Sequence, residues 1–249
     1  MRFDNKVAVV TGATSGIGRA TALGMAAGGA RVAALGRNAD VLEELAGEGL
    51  ITYRADLSSE QEASSTVAAI LKDLGGIDIL VNAAGIIASG TIENTTMADY
   101  DAMMNVNVRS VLHMSQLCLP SILERKGNIV NVSSVTGLRA FPGVLAYCVS
   151  KAAVDQFTRC SALELAPKGV RVNAVNPGVV RTNLHRRSGM DDSQYETFAE
   201  HSKTTHPLGR IGKPEEVADL IMFLASDQAE WITGVTYSID GGRAETCAR

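Results

Sequence analysis

The sequence predicts an α/β fold built on a doubly wound parallel β-sheet, with helices on both faces in three layers and one domain spanning residues 1–249. Three observations support this expectation. Short apolar segments of strand length alternate with longer helical segments along the chain. The first apolar segment leads through a glycine-rich turn into an alanine-rich segment. The chain of 249 residues, 46% of them hydrophobic, is long enough to bury one large core.

The strands and helices can be assigned in chain order. We expect strands at residues 6–10, 31–35, 51–57, 77–81, 129–133, 169–176 and 235–239. Helices should follow the glycine-rich turn to about residue 27, begin at about residue 97 with a closing region at 120–127, contain residues 147–157 and run from 214 to about 225. Ser58 is the expected N-cap of the helix after the third strand, with Glu60 and Glu62 near its positive end.

The glycine-rich turn after the first strand predicts a dinucleotide site. Glycines let the backbone approach a pyrophosphate closely, and a helix N-terminus offers unpaired N–H groups and a favourable dipole to phosphates. A tight turn alone would also explain a glycine cluster, but the preceding strand and the following helix favour dinucleotide binding. The residues expected to contact the cofactor here are Gly12, Thr14, Ser15, Gly16, Ile17 and Gly18.

The end of the second strand predicts which cofactor binds. In dinucleotide folds an acidic residue at this point selects NAD, whereas an arginine accommodates a 2′-phosphate. Arg37 therefore favours NADP(H), with NAD(H) possible, although a solvated arginine in a turn is the alternative because Ser15 stands where a second basic residue could be. Asp56, followed by Leu57, should meet the adenine amino group, and the small residues of Asn82-Ala83-Ala84-Gly85 would let the cofactor lie against the sheet edge.

A tyrosine and a lysine one helical turn apart form the candidate catalytic pair. Tyr147 and Lys151 should share one helix face, and the ammonium group would lower the pKa of the phenol, which is about 10 in free tyrosine. Ser134 ends the fifth strand, where its hydroxyl could polarise a carbonyl. Asn107 could hold a water beside the site. A surface Tyr/Lys pair and an ordinary helix-bonding asparagine remain alternatives on these residues alone.

Composition and charge narrow the classes of partner. The formal net charge of −4 gives no reason to expect a nucleic acid or an anionic membrane. The four cysteines show neither CxxC pairing nor metal-ligand spacing, so we expect no metal site and a reducing, cytoplasmic location. The N-terminal residues lead into a strand without the apolar stretch of a signal peptide, and no segment is apolar for long enough to span a membrane.

A set of motifs in a fixed order resembles that of one enzyme family. The motifs are Thr11-Gly12-x-x-x-Gly16-Ile17-Gly18, Asn82-Ala83-Ala84-Gly85, Asn107, Ser134, Tyr147-x-x-x-Lys151, Pro177-Gly178 and Asp240-Gly241-Gly242. Over nearly the whole chain they resemble the short-chain dehydrogenase/reductase family, in the branch of 3-oxoacyl-carrier-protein reductases and glucose dehydrogenases. Ala83 departs from the pattern, since many members have a second asparagine there that braces the sheet.

The resemblance implies a Rossmann-fold enzyme that transfers a hydride between C4 of NAD(P)(H) and a small carbonyl or secondary-alcohol substrate. It implies a catalytic tetrad of Asn107, Ser134, Tyr147 and Lys151, with Tyr147 as general acid and base and Lys151 also on the nicotinamide ribose. It further implies that the carboxamide is met by Pro177, Gly178, Val180 and Thr182. Family members are commonly homotetramers built through two long helices and the C-terminal strand region.

Residues 179–213 are the least regular part of the sequence and are expected to form a substrate lid. This segment contains His185, His201 and His206, which we interpret as lid surface because their spacing suits no metal. It also contains Arg181, Arg186 and Arg187. Apolar cleft walls are suggested by Ile86, Ile87, Val135, Leu138 and Leu145, which would equally suit a plain core.

Two alternatives stay open at this point. The chain could be a catalytically silent dinucleotide-binding sensor or scaffold, because a fold does not guarantee a function. A 3-oxoacyl substrate could instead arrive on an acidic carrier protein, which would need basic residues near the cleft. Arg125, Lys126 and Lys168 at helix ends are candidates, although solvated helix-end cations would look the same.

Overall fold

The computed structural model describes residues 1–184 and 191–246. Seven parallel strands form one sheet in the order β3-β2-β1-β4-β5-β6-β7. The strands are β1 Val7–Val10, β2 Arg31–Gly36, β3 Ile51–Arg54, β4 Ile79–Asn82, β5 Asn128–Val132, β6 Arg171–Pro177 and β7 Thr236–Ile239. Because all strands are parallel, their carboxyl ends meet at one edge of the sheet, and the order changes direction between β1 and β4. The predicted doubly wound fold is confirmed.

The helices of the described residues cover both faces of this sheet. They are α1 Gly16–Ala27, α2 Ala39–Gly47, α3 Glu60–Leu74, α4 Met97–Met104, α5 Ser110–Arg125, α6 Val135–Leu138, α7 Leu145–Leu165, α8 Asp192–Thr205 and α9 Pro214–Ala225. Alternate residues of β1 show the layering. Ala8 and Val10 pack with α1 and α9, whereas Val7 and Val9 pack with α3, α5 and α7.

Several strand ends differ from the prediction by one or two residues, and two larger or more informative differences have local reasons. The third strand ends at Arg54 rather than at residue 57, so Asp56 is already outside the sheet. The N-cap of α3 is Ser59, whose hydroxyl accepts from the backbone N–H of Glu62. Ser58 is not the cap because its hydroxyl donates to Asp56. The N-cap is therefore Ser59, because the hydroxyl of the adjacent Ser58 is already bonded to Asp56.

The predicted lid contains more regular structure than expected. Helix α8 occupies residues 192–205 of the predicted lid. The prediction that this segment is irregular is therefore wrong for those residues. A capping box begins the helix, since Asp191 accepts from the backbone of Gln194 and the Gln194 side chain accepts from the backbone of Asp191.

The helix predicted from residue 97 is present with one irregularity. A π-helical segment, Asn105–Arg109, joins α4 to α5 and places Asn107 inside the protein. Helix α5 continues past Pro120 to Arg125, so the proline does not end it. None of the helices in the described residues has both the length and the hydropathy needed to cross a lipid bilayer.

Candidate active site

A cavity of about 500 Å3 runs along the carboxyl edge of the sheet, where six strands end. Asn82 and Asn107 are not among the residues that line it. The predicted site residues that do line it are Gly12, Thr14, Ser15, Gly16, Ile17, Gly18, Arg37, Asp56, Leu57, Ala83, Gly85, Ser134, Tyr147, Lys151, Pro177, Gly178, Val180 and Thr182. The fold thus gathers residues from across the chain into one cleft.

The glycine-rich turn is held tightly against the end of β4. The hydroxyl of Thr11 accepts from the backbone N–H groups of Ala83 at 2.9 Å and Ala84 at 3.1 Å. A Cβ at Gly18 would lie only 2.7 Å from the carbonyl carbon of Gly12, so α1 packs directly onto the turn. Helix α1 then begins at Gly16 and points its N-terminus at the cavity. Close backbone packing at a helix N-terminus fits the pyrophosphate of a dinucleotide.

The far end of the cleft carries the candidate cofactor-selecting residues. Gly36 packs against Thr14, and Arg37 follows at the rim with two-thirds of its side chain exposed. Its guanidinium lies 3.7 Å from the carboxylate of Asp56. Hydrogen bonds from the backbone and hydroxyl of Ser58 lower the pKa of Asp56, with Arg37 a smaller cause. Arg37 and Asp56 therefore form one charged corner of the cavity.

The other end of the cleft holds the tyrosine, the lysine and the serine. Tyr147 and Lys151 lie on the buried face of α7, and the Lys151 ammonium is 5.6 Å from the centre of the Tyr147 ring. The ammonium donates to the backbone carbonyl of Val132 at 2.9 Å. Ser134 caps the short helix α6 by accepting from the backbone of Thr136, and it interacts with the phenol of Tyr147. The three side chains meet as the sequence predicts.

Known proteins resemble this chain over nearly its whole length. A family model described as enoyl-(acyl carrier protein) reductase matches residues 12–244. The 3-oxoacyl-(acyl-carrier-protein) reductase FabG of Thermotoga maritima is 40% identical over 249 residues, covering 97% of this chain and 99% of the relative. The meso-2,3-butanediol dehydrogenase of Serratia marcescens is 36% identical over 246 residues, covering 97% and 96%. A crystal structure of a short-chain dehydrogenase/reductase of unknown function from Caenorhabditis elegans, with cofactor, has a TM-score of 0.91 at 37% identity and covers 99% of this chain and 97% of that one.

The chain belongs to the short-chain dehydrogenase/reductase family. Membership makes it an NAD(P)-dependent oxidoreductase that acts on the CH–OH group of its substrates, which confirms the predicted family and class of reaction. A catalytically silent protein is accordingly the weaker interpretation.

Burial sets the pKa values in the site of this dehydrogenase/reductase. Burial raises the pKa of Tyr147 to about 12, with the Ser134 side chain acting in the opposite direction. Burial lowers the pKa of Lys151 to about 8, opposed by the charge of Asp155. In the protein without a dinucleotide, burial is therefore the largest influence on the pKa of Tyr147. The expected lowering of this pKa by Lys151 stays a prediction for the cofactor-bound enzyme.

Asn107 is buried behind the cleft of the short-chain dehydrogenase/reductase and clamps its wall. Its side-chain oxygen accepts from the backbone N–H of Ile86, and its amide donates to the Ile86 carbonyl, both at 2.9 Å. The amide also donates to the hydroxyl of Ser150 at 3.0 Å. Asn82 likewise faces away from the cavity, since its amide donates to Asn131 within the sheet. Both asparagines thus shape the cleft from behind.

The lid histidines differ from one another. His201 is exposed and lies on the cavity wall, but His206 is buried, so its interpretation as lid surface is wrong. Its Nε2 accepts from the backbone N–H of Val179 at 3.1 Å, and its Nδ1 lies 2.6 Å from the Ser202 carbonyl. Since a carbonyl only accepts, Nδ1 carries the hydrogen and the ring is neutral. His185, Arg186 and Arg187 lie outside the described residues.

The substrate end of the cleft includes residues that the sequence did not indicate. Ile86, Ile87 and Val135 line the cavity as expected, whereas Leu138 and Leu145 do not. Lining residues without any local sequence signal are Phe141, Pro142, Val144, Phe198, Ser202, Thr205 and Arg243. The guanidinium of Arg243 lies over the ring of Phe141 at 4.9 Å. In residues 1–184 and 191–246, no group of His, Cys, Asp and Glu side chains is arranged to hold a metal ion.

Proposed function

We propose that this enzyme reduces a small-molecule carbonyl to a secondary alcohol reversibly, with Tyr147 as the proton donor and acceptor. The observation that carries the proposal is the meeting of Tyr147, Ser134 and Lys151 at one end of the cavity that begins at the glycine-rich turn. When bound, NAD(P)(H) supplies the hydride donor or acceptor. The protein supplies orientation, a proton and stabilisation of developing charge.

Each polar side chain has a separate task in this proposal. The Tyr147 hydroxyl gives a proton to the substrate oxygen or takes it back. The Ser134 hydroxyl donates a hydrogen bond to the same oxygen as negative charge develops there. Lys151 and Tyr147 also hold the nicotinamide ribose, and backbone and side chains at Pro177, Gly178, Val180 and Thr182 hold the carboxamide. Asn107 acts from behind by fixing the Ile86 backbone.

The pKa values favour the reductive direction. With a pKa of about 12, Tyr147 keeps its proton at neutral pH and is ready to donate it to a carbonyl oxygen. Lys151, with a pKa of about 8, is still mostly protonated at pH 7 and can stabilise the phenolate that forms. Oxidation of the alcohol should require higher pH, because the phenol must first lose its proton.

We further propose that NADP(H) is the preferred cofactor. Arg37 lines the cavity and its side chain is two-thirds exposed, so it can turn toward a 2′-phosphate at the cost of its 3.7 Å ion pair with Asp56. A surface ion pair of this kind is worth about 0–1 kcal/mol, whereas a charge-assisted hydrogen bond to phosphate is worth about 1.5–3 kcal/mol. Replacing the ion pair with Asp56 by a hydrogen bond to the 2′-phosphate should therefore be favourable in free energy.

The structure disfavours carrier docking at the basic residues considered earlier. Lys126 and Lys168 precede β5 and β6, so they lie at the edge of the sheet opposite the cleft. Arg125 is engaged with Asp78 at 3.3 Å and with the carbonyl of Gly75. A carrier bound there would lie at the opposite edge of the sheet from Tyr147, so we do not place carrier docking at these residues. A free small-molecule substrate is therefore our proposal.

We also propose a homotetramer assembled through the long helices and the C-terminal strand region. Large apolar side chains are exposed on both elements, and burying them would be favourable. They are Leu112, Val149, Leu163, Trp231 and Tyr237. Light scattering coupled to gel filtration tests this proposal, and a monomer at micromolar concentration would contradict it.

Replacing Tyr147 by phenylalanine tests the proposed chemistry. We expect turnover to fall at least about 100-fold, because the proton donor is lost while packing is kept. The dissociation constant for the dinucleotide, measured by cofactor fluorescence, should rise by no more than about tenfold, the cost of losing one hydrogen bond to the ribose. Tyr53→Phe is the matched control and should keep full turnover, since it removes a hydroxyl that donates to Asp73 outside the cavity. A Tyr147→Phe enzyme with near wild-type turnover would remove the mechanism.

A further inference from the structure

A buried carboxylate lies directly behind the proposed site. Asp155 follows Lys151 by four residues in α7, so both occupy the same face of the helix. Asp155 is 1% exposed and is not among the residues that line the cavity. A buried carboxylate is costly unless it is paired or hydrogen-bonded, so its contacts indicate what it does.

The first contact of Asp155 links it to the end of β6 and to Ser134. The side-chain amide of Asn176 donates to the Asp155 carboxylate at 3.1 Å and 2.9 Å from its two oxygens. The same amide nitrogen donates to the backbone carbonyl of Ser134 at 2.9 Å. One amide therefore holds the carboxylate and the Ser134 backbone together.

The second set of contacts lies around α6, the short helix that Ser134 begins. A Cβ at Gly137 would overlap the Asp155 carboxylate, so the carboxylate packs directly against the backbone of α6. The hydroxyl of Ser133 donates to the backbone carbonyl of Lys151 at 3.1 Å. Asp155 thus sits where α6, α7 and the end of β6 converge, and each of these segments carries part of the proposed site.

We propose that Asp155 is a positioning residue of this oxidoreductase, which acts on Lys151 from one helical turn away on the same face of α7 and fixes the backbone at Ser134 through its hydrogen bonds with Asn176. This inference rests on the proposed function, because it assigns Asp155 a role through Lys151 and Ser134. The residue need not touch substrate or cofactor.

The electrostatics of the site support the first part of the proposal. Burial already lowers the pKa of Lys151 to about 8, and the charge of Asp155 opposes that shift. Burial raises the pKa of Asp155, while hydrogen bonds from Ser133 and Asn176 and the charges of Arg159 and Lys151 lower it. Without the carboxylate, Lys151 would lose protons below pH 8, and a neutral amine cannot stabilise a phenolate.

The experiment compares Asp155→Asn with the wild type. Asparagine has the same shape and keeps one oxygen that can accept from Asn176, so the substitution removes the charge and one of the two acceptors. The titration of Lys151 is followed by NMR of the ε-13C-lysine-labelled protein without cofactor, with Lys151→Arg used to assign the signal. We expect the Lys151 midpoint to fall by about one pH unit. The pH at which kcat for carbonyl reduction falls to half its maximum on the alkaline side should decrease by a similar amount.

Arg159→Gln provides the control. It removes an exposed charge that also faces Asp155, without touching the hydrogen bonds that the carboxylate makes. We expect the midpoint of the Lys151 titration in this variant to lie within about 0.3 pH units of the wild-type midpoint, because an exposed charge is well screened. Its turnover should be unchanged.

Two outcomes separate the explanations. A shifted Lys151 titration together with a shifted kcat profile supports the proposal. A lower melting temperature with an unchanged Lys151 titration would overturn it, since that is the result of a purely structural role. If Asp155→Asn does not fold, Asp155→Ser is used in the same titration. If the proposed function is wrong, the Tyr147→Phe enzyme will be active. The Lys151 titration can still be measured in that case, so the two failures are distinguishable.

Discussion

Replacing Gly18 by alanine should damage the dinucleotide site more than any exposed glycine-to-alanine change. A Cβ at Gly18 would lie 2.7 Å from the carbonyl carbon of Gly12, whereas ordinary van der Waals contact begins at 3.4 Å. The carbonyl oxygen of Gly12 would lie closer still, so the first turn of α1 must move away from the glycine-rich turn. The neighbouring atoms are backbone, which cannot rotate out of the way as a flexible side chain would.

The displacement has a predictable cost. Overpacking of a close contact typically costs about 1–3 kcal/mol. If about 2 kcal/mol of that cost falls on dinucleotide binding, the dissociation constant rises about 30-fold. Binding is measured by quenching or enhancement of cofactor fluorescence, and urea denaturation gives the free energy of unfolding in parallel.

Gly47→Ala is the matched control because it makes the same chemical change at the end of α2. A Cβ at Gly47 meets nothing within 4 Å, so the variant should bind the dinucleotide normally and gain up to about 1 kcal/mol of stability. Dinucleotide binding by Gly18→Ala within twofold of wild type would refute the close-packing explanation, and so would equal weakening in both variants.

Three further predictions concern other parts of the cleft. Arg37→Asp should change the ratio of kcat/KM for NADPH over NADH by about 10–100-fold toward NADH, and an unchanged ratio would place cofactor selection elsewhere. Asn107→Ala breaks both bonds to the Ile86 backbone and should lower the free energy of unfolding in urea by about 2 kcal/mol; a loss below about 0.5 kcal/mol would contradict the clamp. His206 has a pKa lowered mainly by burial, so stability should decline as pH falls below its unfolded value of 6.5, and His206→Gln should remove that component of the acid sensitivity seen in melting temperature.

Local signals in the sequence were enough to predict the sheet and the cofactor-binding turn. The strands are short segments rich in apolar residues, and six of the seven lead into residues that line the cavity. The Tyr147 and Lys151 side chains were predicted to meet because a helix brings residues four apart together. Helix α8 was missed, although Asp191 and Gln194 form a readable capping box, because its mean composition is polar and no apolar stripe marks it.

Contacts between distant segments could not be predicted in the same way. The bonds that join Asn176 to Asp155 and to Ser134 span 21 and 42 residues, and no periodicity relates these positions. His206 was predicted to be a polar surface residue of the lid. It is buried because it packs beside the end of β6 and accepts a hydrogen bond from Val179. Tertiary packing therefore decided which polar residues support the site from behind.

The sequence by itself determined the order of strands and helices along the chain, the turn that receives a dinucleotide and the reactive pair on α7. Only the tertiary structure decided the pKa values of that pair, because desolvation depends on every segment that covers Tyr147 and Lys151. Burial moves the pKa of the phenol up to about 12 and that of the amine down to about 8, which is opposite to the effect that two isolated neighbours would have on each other.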